Sequence, residues 1–168
     1  ARDLLKAGLL DRAEDALNRL EGTPFEAQAR LALLAIYERS RDWSHAASIA
    51  QKMHTADQGD FSTRQAHYLC EQALALSVQG DRAGAKALLE QAIAAAPDAA
   101  RARIELARLQ QLMGQPDAVL ATLQALGERA PAALPLAAPL LVEAGNATGR
   151  QAEVLARLVA HYEQSPSL

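Results

Sequence analysis

Two segments of the chain share one outline: GDRAGAKALLEQAIAAAP, from Gly80 to Pro97, and GQPDAVLATLQALGERAP, from Gly114 to Pro131. Each begins with a glycine, continues with small and aliphatic residues at helical spacing, and ends with a proline. The two glycines are 34 residues apart, and so are the two prolines. Because glycine permits a tight turn and proline cannot continue a helical hydrogen-bond ladder, each segment is predicted to be a helix between these two residues.

A period of 34 residues is typical of the tetratricopeptide repeat, in which two antiparallel helices, A and B, form one unit. The composition of the 168-residue chain agrees with this, because 50% of the residues are hydrophobic, only 4% are aromatic, and alanine and leucine dominate the apolar residues. These two residue types are strong helix formers. We therefore expect an all-α protein, a tetratricopeptide-repeat right-handed superhelical solenoid of antiparallel helix pairs, with the A helices lining its concave face.

Weaker matches extend the repeat along the chain and predict one domain of about four and a half units. Gly8 is expected at the turn of the first, partial unit, Arg41 stands where glycine is usual, and Pro139 predicts a kink or a late helix start. The segment HTADQGDFS (54–62) has the composition of a loop. Because the chain opens within an A helix, we expect a fragment of a longer protein. The predicted units are 1–25 (partial), 27–60, 66–99, 100–133 and 134–165 (degenerate).

Several classes of function are disfavoured by the sequence. The net charge of -3 does not suit a nucleic-acid-binding protein. The sequence also contains no run of about 18 apolar residues, the length needed to span a membrane. The single cysteine, Cys70, lies three residues from His67 and is interpreted as a structural thiol. No phosphate-binding glycine motif occurs. We expect no cofactor in this segment, because its histidines have no metal-ligand spacing: His45, His54, His67 and His161.

Polar side chains on the predicted A helices form the candidate partner-binding groove. Arg101 and Arg108 are seven residues apart and so lie on one side of a helix, where their guanidinium groups suit carboxylates. Trp43, in contrast, is predicted to pack in the core. The predicted groove residues are Glu38, His67, Glu71, Arg101, Arg108 and Gln111.

Four stretches, in this order, resemble the lipopolysaccharide assembly protein B (LapB) family of Gram-negative bacteria: GLLDRAEDALNRL, WSHAASIAQKM, AHYLCEQALAL and ARARIELARLQQLMGQ. The long linker before AHYLCE adds to the resemblance, which covers essentially all of this chain but only the repeat portion of the family. It implies a non-catalytic adaptor at the cytoplasmic side of the inner membrane. Such an adaptor helps a membrane-bound AAA+ protease to degrade the deacetylase that commits precursors to lipid A, and other lipopolysaccharide assembly proteins are implied as partners.

Family members also have an N-terminal membrane-anchoring helix and a C-terminal rubredoxin-like domain with four metal-binding cysteines. Neither is encoded here, and Cys70 is not one of those cysteines. The resemblance therefore implies no catalytic residue and no metal ligand in this chain, and the sequence leaves self-association open.

Two other functions remain alternatives at this point. Tetratricopeptide arrays also precede the catalytic domain of O-linked N-acetylglucosaminyltransferases, although a sugar-nucleotide site would need a doubly wound sheet. A generic chaperone-type module would instead clamp a peptide carboxylate with groove lysines. Only three lysines occur, Lys6, Lys52 and Lys86, so arginines would have to replace them.

Overall fold

The structure, a computed structural model, describes residues 2–164, with side chains from residue 7 onward. This part of the chain is helical and contains no strand, which confirms the prediction of an all-α tetratricopeptide solenoid. The elements are α1 (Arg2–Asn18), α2 (Glu26–Ser40), α3 (Trp43–Thr55), α4 (Ser62–Val78), α5 (Arg82–Ala95), α6 (Arg101–Leu112), α7 (Pro116–Arg129), a 3₁₀ segment (Pro131–Ala137), α8 (Ala138–Thr148) and α9 (Gln151–Gln164).

Each helix packs mainly on the next helix along the chain, and α4, α6 and α8 also contact one another in series. The helices thus alternate between A positions (α2, α4, α6, α8) and B positions (α3, α5, α7, α9). This nearest-neighbour pattern is the one by which a solenoid buries its apolar surface.

The prediction of a turn at Gly8 is wrong, because α1 runs without a break from Arg2 to Asn18. Alanine, leucine and charged helix formers surround this glycine in the sequence. Their summed helix propensity outweighs the roughly 1 kcal/mol that one internal glycine costs.

The linker between α3 and α4 is shorter than predicted, because α3 extends through His54 to Thr55 and leaves residues 56–61 as the loop. Two side chains hold this loop against the array. The Phe61 side chain is buried in the core, and the Gln58 side chain accepts a hydrogen bond from Arg30 Nη1 (3.0 Å) and donates one to Glu26 Oε1 (3.1 Å).

The turns between paired A and B helices share one left-handed backbone conformation. Gly80, Gly114 and Gly149 have φ values of 91°, 70° and 73°, and Arg41, at the same place in the α2–α3 turn, has a φ of 58°. A Cβ at Gly114 would meet nothing within 4 Å, so only the backbone conformation favours glycine there. Arg41 therefore carries a steric penalty that the glycines avoid.

We predict that Arg41→Gly raises the free energy of unfolding by about 1 kcal/mol, because it removes the left-handed penalty. The matched change Gly114→Ala introduces that penalty and should lower the value by about the same amount. Urea unfolding followed by circular dichroism measures both. A destabilised Arg41→Gly variant would show that the Arg41 side chain, not its backbone, matters.

Two apolar clusters form the core of the array. The first extends from α2 to α6 and the second from α6 to α9. Helix α6 belongs to both, since Ala102 and Leu106 lie in the first cluster, whereas Ile104 and Ala107 lie in the second. Trp43 packs against the first cluster, as predicted.

Small residues let the helices approach closely. Ala46, Ala50 and Ala107 are fully buried where helices meet. A close approach between helices involves Gly145 in α8, where an added Cβ would lie 2.8 Å from Val154 Cγ2 of α9. This contact explains why a glycine occupies the interior of a helix.

Gly145→Ala is therefore expected to lower the free energy of unfolding by about 2 kcal/mol, as overpacking does elsewhere. Gly127→Ala is the control, since Gly127 lies inside α7 and its added Cβ would be 4.0 Å from Leu134 Cδ1. That variant should gain up to about 1 kcal/mol of helix propensity. Thermal unfolding compares the two, and equal effects would contradict the assigned close approach.

Pro139 has the late helix start that the sequence predicts. The chain forms a 3₁₀ segment over Pro131–Ala137, and α8 begins at Ala138, so that Pro139 lies in the first turn. There its missing N–H costs no helical hydrogen bond.

None of the helices in the described part of the chain has the length and apolar character needed to cross a membrane.

Candidate protein-interaction surface

The predicted groove residues lie on three consecutive A helices. Glu38 is on α2, His67 and Glu71 are on α4, and the remaining three, Arg101, Arg108 and Gln111, are on α6. The structure brings most of them into contacts between neighbouring A helices. These contacts form three sets, one at each junction between A helices, and are described below from α2 to α8.

Between α2 and α4, the carboxylate of Glu38 accepts hydrogen bonds from Arg64 Nη2 (2.7 Å) and from the Tyr68 hydroxyl. Partial burial would raise the pKa of Glu38, but the hydrogen bonds from Tyr68 and Arg64 outweigh it and the pKa is lowered. Burial, together with the bond to Glu38, raises the pKa of Tyr68 to about 12. Glu38 is therefore charged, and Tyr68 is a neutral donor, near pH 7.

Between α4 and α6, Arg101 bridges two side chains. Its Nη1 lies 2.6 Å from His67 Nδ1, and its Nη2 donates to Glu71 Oε1 at 2.7 Å. Because a guanidinium offers only donors, His67 Nδ1 is the acceptor in this contact. The ring of Trp43 lies edge-on to His67 (5.9 Å between centroids) and stacks on Tyr68 (6.0 Å).

Between α6 and α8, Gln111 Nε2 donates to Glu143 Oε2. We call these three sets of contacts the inter-repeat ladder; its members are Glu38, Arg64, Tyr68, His67, Glu71, Arg101, Gln111 and Glu143. Arg108 lies outside the ladder: it pairs with Glu105 of its own helix at 3.1 Å, and its side chain is 55% exposed.

Sequence analysis missed Arg64, Tyr68 and Glu143 as members of the ladder. A signal for them exists in the sequence, because each ladder contact joins residues 26 to 34 positions apart, close to one repeat. A search for complementary polar residues at that separation would have found these pairs.

Two apolar slots open between neighbouring A helices. Slot 1, about 180 Å³, lies between α4 and α6, and its lining includes Leu74, Ser77, Arg108, Leu109 and Leu112, with Ala85 of α5. Slot 2, about 140 Å³, lies between α6 and α8, and its lining includes Gln111, Leu140, Glu143, Ala144 and Ala147, with Val119 of α7.

Cys70 is buried within α4, as predicted, and 1% of it is exposed. Burial raises the pKa of its thiol to about 11, so the thiolate is scarce at neutral pH.

Among the described residues, no group of three or more His, Cys, Asp or Glu side chains could hold a metal ion.

The described helices have the tetratricopeptide-repeat fold, an architecture that is typical of scaffolds for protein interactions. The tetratricopeptide-repeat family model matches residues 79–144. Two solved structures of MamA share the fold; one superposes with a TM-score of 0.56 at 17% identity over 97% of this chain and 92% of MamA. The other gives 0.54 at 20% identity over 95% and 85% of the two chains.

The repeat region is similar to that of a particular protein, lipopolysaccharide assembly protein B. The protein of that name from Escherichia coli strain K12 is 36% identical over 89 residues, which are 52% of this chain. The Escherichia coli O157:H7 protein gives the same values. The match spans 23% of the length of these relatives, so it concerns one part of them.

The pairing of Glu38 predicts a pH effect on stability. Its pKa is lower in the folded state than the usual 4.5. The stabilisation is therefore present above about pH 4.5 and is lost as the pH falls through the lower folded-state pKa. Glu38→Gln should cost about 1 kcal/mol at pH 7, since Glu38 is partly exposed, and progressively less as the pH falls below 4.5 and Glu38 becomes protonated.

Urea unfolding of both proteins between pH 2 and 7 measures this difference. Glu163→Gln on α9 provides a control carboxylate outside the ladder. A difference between wild type and Glu38→Gln that stays constant over this range would contradict the role assigned to the charged hydrogen bonds.

Proposed function

We propose that this chain is the partner-binding region of an adaptor that regulates lipopolysaccharide synthesis. In this role it brings the deacetylase of the committed step of lipid A synthesis to a membrane-bound AAA+ protease, at the cytoplasmic side of the inner membrane. The observation that carries the proposal is the 36% identity to lipopolysaccharide assembly protein B within a repeat array of the same kind.

The concave face supports an adaptor role because it offers contact surface. The ladder holds the A helices side by side, and the slots leave apolar surface between them. Ordered polar groups beside apolar clefts are the usual components of a protein-binding surface.

The groove residues differ in how many of their hydrogen-bonding groups are already used within the chain. Glu38 accepts a hydrogen bond from Tyr68, and Arg101 is bonded to His67 and Glu71. The contribution of these residues to a partner is therefore the shape and charge pattern of the ladder. Arg108 has a single ion pair, on its own helix. Its remaining N–H donors make it the proposed contact to a partner carboxylate or carbonyl.

Arg108→Glu is expected to reduce recovery of the deacetylase and the protease at least fivefold in a pull-down with this chain as bait. Reversing the charge replaces donors with a carboxylate at the proposed contact. Arg129→Glu is a matched control: each arginine is 55% exposed and pairs with one carboxylate, at 3.1 Å for Arg108 and 3.3 Å for Arg129.

Equal recovery with wild type and Arg108→Glu would show that the concave face is not the contact. Failure of wild type to recover either protein would overturn the adaptor proposal itself. Circular dichroism of both variants checks that the helices remain intact.

A further inference from the structure

Slots 1 and 2 occupy the same place in consecutive repeats. Ser77 in slot 1 and Gln111 in slot 2 are 34 residues apart, as are Ala85 and Val119, which lie on the B-helix side. On the other wall, three pairs are each 35 residues apart: Arg108 and Glu143, Leu109 and Ala144, and Leu112 and Ala147. The concave face therefore presents one kind of cleft twice, one repeat apart.

The distance between the slots follows from helix packing. Because α4, α6 and α8 are consecutive neighbours, successive slots are separated by about one interaxial distance, roughly 8–10 Å. A ligand that fills both slots must present two side chains on one side of its backbone at this separation.

Among extended conformations, polyproline II meets this requirement. It has three residues per turn and rises about 3.1 Å per residue, so side chains i and i+3 point the same way, about 9 Å apart. In a β-strand, i and i+3 point to opposite faces, and i and i+2 are only about 6.6 Å apart.

The chemistry of the slots selects apolar side chains. Leu74, Leu109 and Leu112 line slot 1, and Leu140, Ala144 and Ala147 line slot 2. Polar side chains also reach the slots, Glu105 and Arg108 at slot 1 and Gln111 and Glu143 at slot 2. Water beside the apolar part of each lining makes few hydrogen bonds, so its displacement by an aliphatic side chain is favourable. Arg108, which lines slot 1 from α6, has N–H donors beyond its pair with Glu105 for the carbonyl groups of a polyproline II backbone, which makes no internal hydrogen bonds.

We propose that the two slots are subsites for a polyproline II segment of a partner protein that carries aliphatic side chains at positions i and i+3. This inference rests on the proposed use of the concave face, and it adds the conformation and the side-chain spacing of the segment that binds there.

Two labelled peptides of identical composition test the spacing, with acetylated and amidated ends. PPLPPLPP has its leucines three residues apart, and PPLPLPPP has them two apart. Fluorescence anisotropy with the full chain should show at least tenfold tighter binding of the first peptide, the effect of leaving one leucine side chain out of its slot.

Two slot variants and one control variant test the position. Leu112→Glu places a charge at slot 1 and should weaken PPLPPLPP at least tenfold, whereas Leu155→Glu on α9 should leave it unchanged. Both leucines are 63% exposed, so neither change should disturb the core. Ala147→Trp fills slot 2 and should also weaken this peptide but not PPLPLPPP.

Equal binding of the two peptides, no binding of either, or equal effects of Leu112→Glu and Leu155→Glu would overturn the inference. The adaptor proposal has a separate outcome. If the deacetylase and protease are recovered in an Arg108-dependent way while PPLPPLPP does not bind, the adaptor proposal stands and the polyproline II subsites do not. If PPLPPLPP binds as expected and neither protein is recovered, the subsites stand and the lipopolysaccharide role does not.

Discussion

Close approach of consecutive helices at small side chains is the constraint on which the rest of the molecule depends. Ala46, Ala50, Ala107 and Gly145 lie where helix backbones meet, and a single added methyl group at Gly145 would touch Val154. Tight contacts of this kind fix the distance and angle between helices, because well-packed interiors cannot absorb extra volume. The spacing of the A helices, and with it the ladder and the slots, follows from these contacts.

The concave face combines two kinds of surface. In the ladder, polar groups satisfy one another across each repeat junction, so they hold neighbouring A helices in register. The slots lie beside these contacts and remain open. A surface built in this way can recognise a ligand by shape and apolar burial without first giving up its internal hydrogen bonds.

The fold could be predicted from the 34-residue period because glycine and proline act locally, on the turn and the helix end next to them. Gly80 and Gly114 have the backbone conformation that this argument requires, and Arg41 adopts it against its own preference. The same argument gives the wrong result at Gly8, because the helix-forming residues around it keep α1 continuous. The groove residues could be placed on A helices, but the pairing of Glu38 with Tyr68, or of Gln111 with Glu143, depends on side-chain positions across a junction.

The burial of Cys70 has a practical consequence for following the motions of the array. It is the sole cysteine of the sequence, and it lies in α4 at the level of the ladder with 1% of its surface exposed. An alkylating reagent can react with its thiol only while the surrounding helices separate. The rate of modification of the unmutated chain thus reports transient opening of the central repeats, and a ligand that holds the A helices together would slow it.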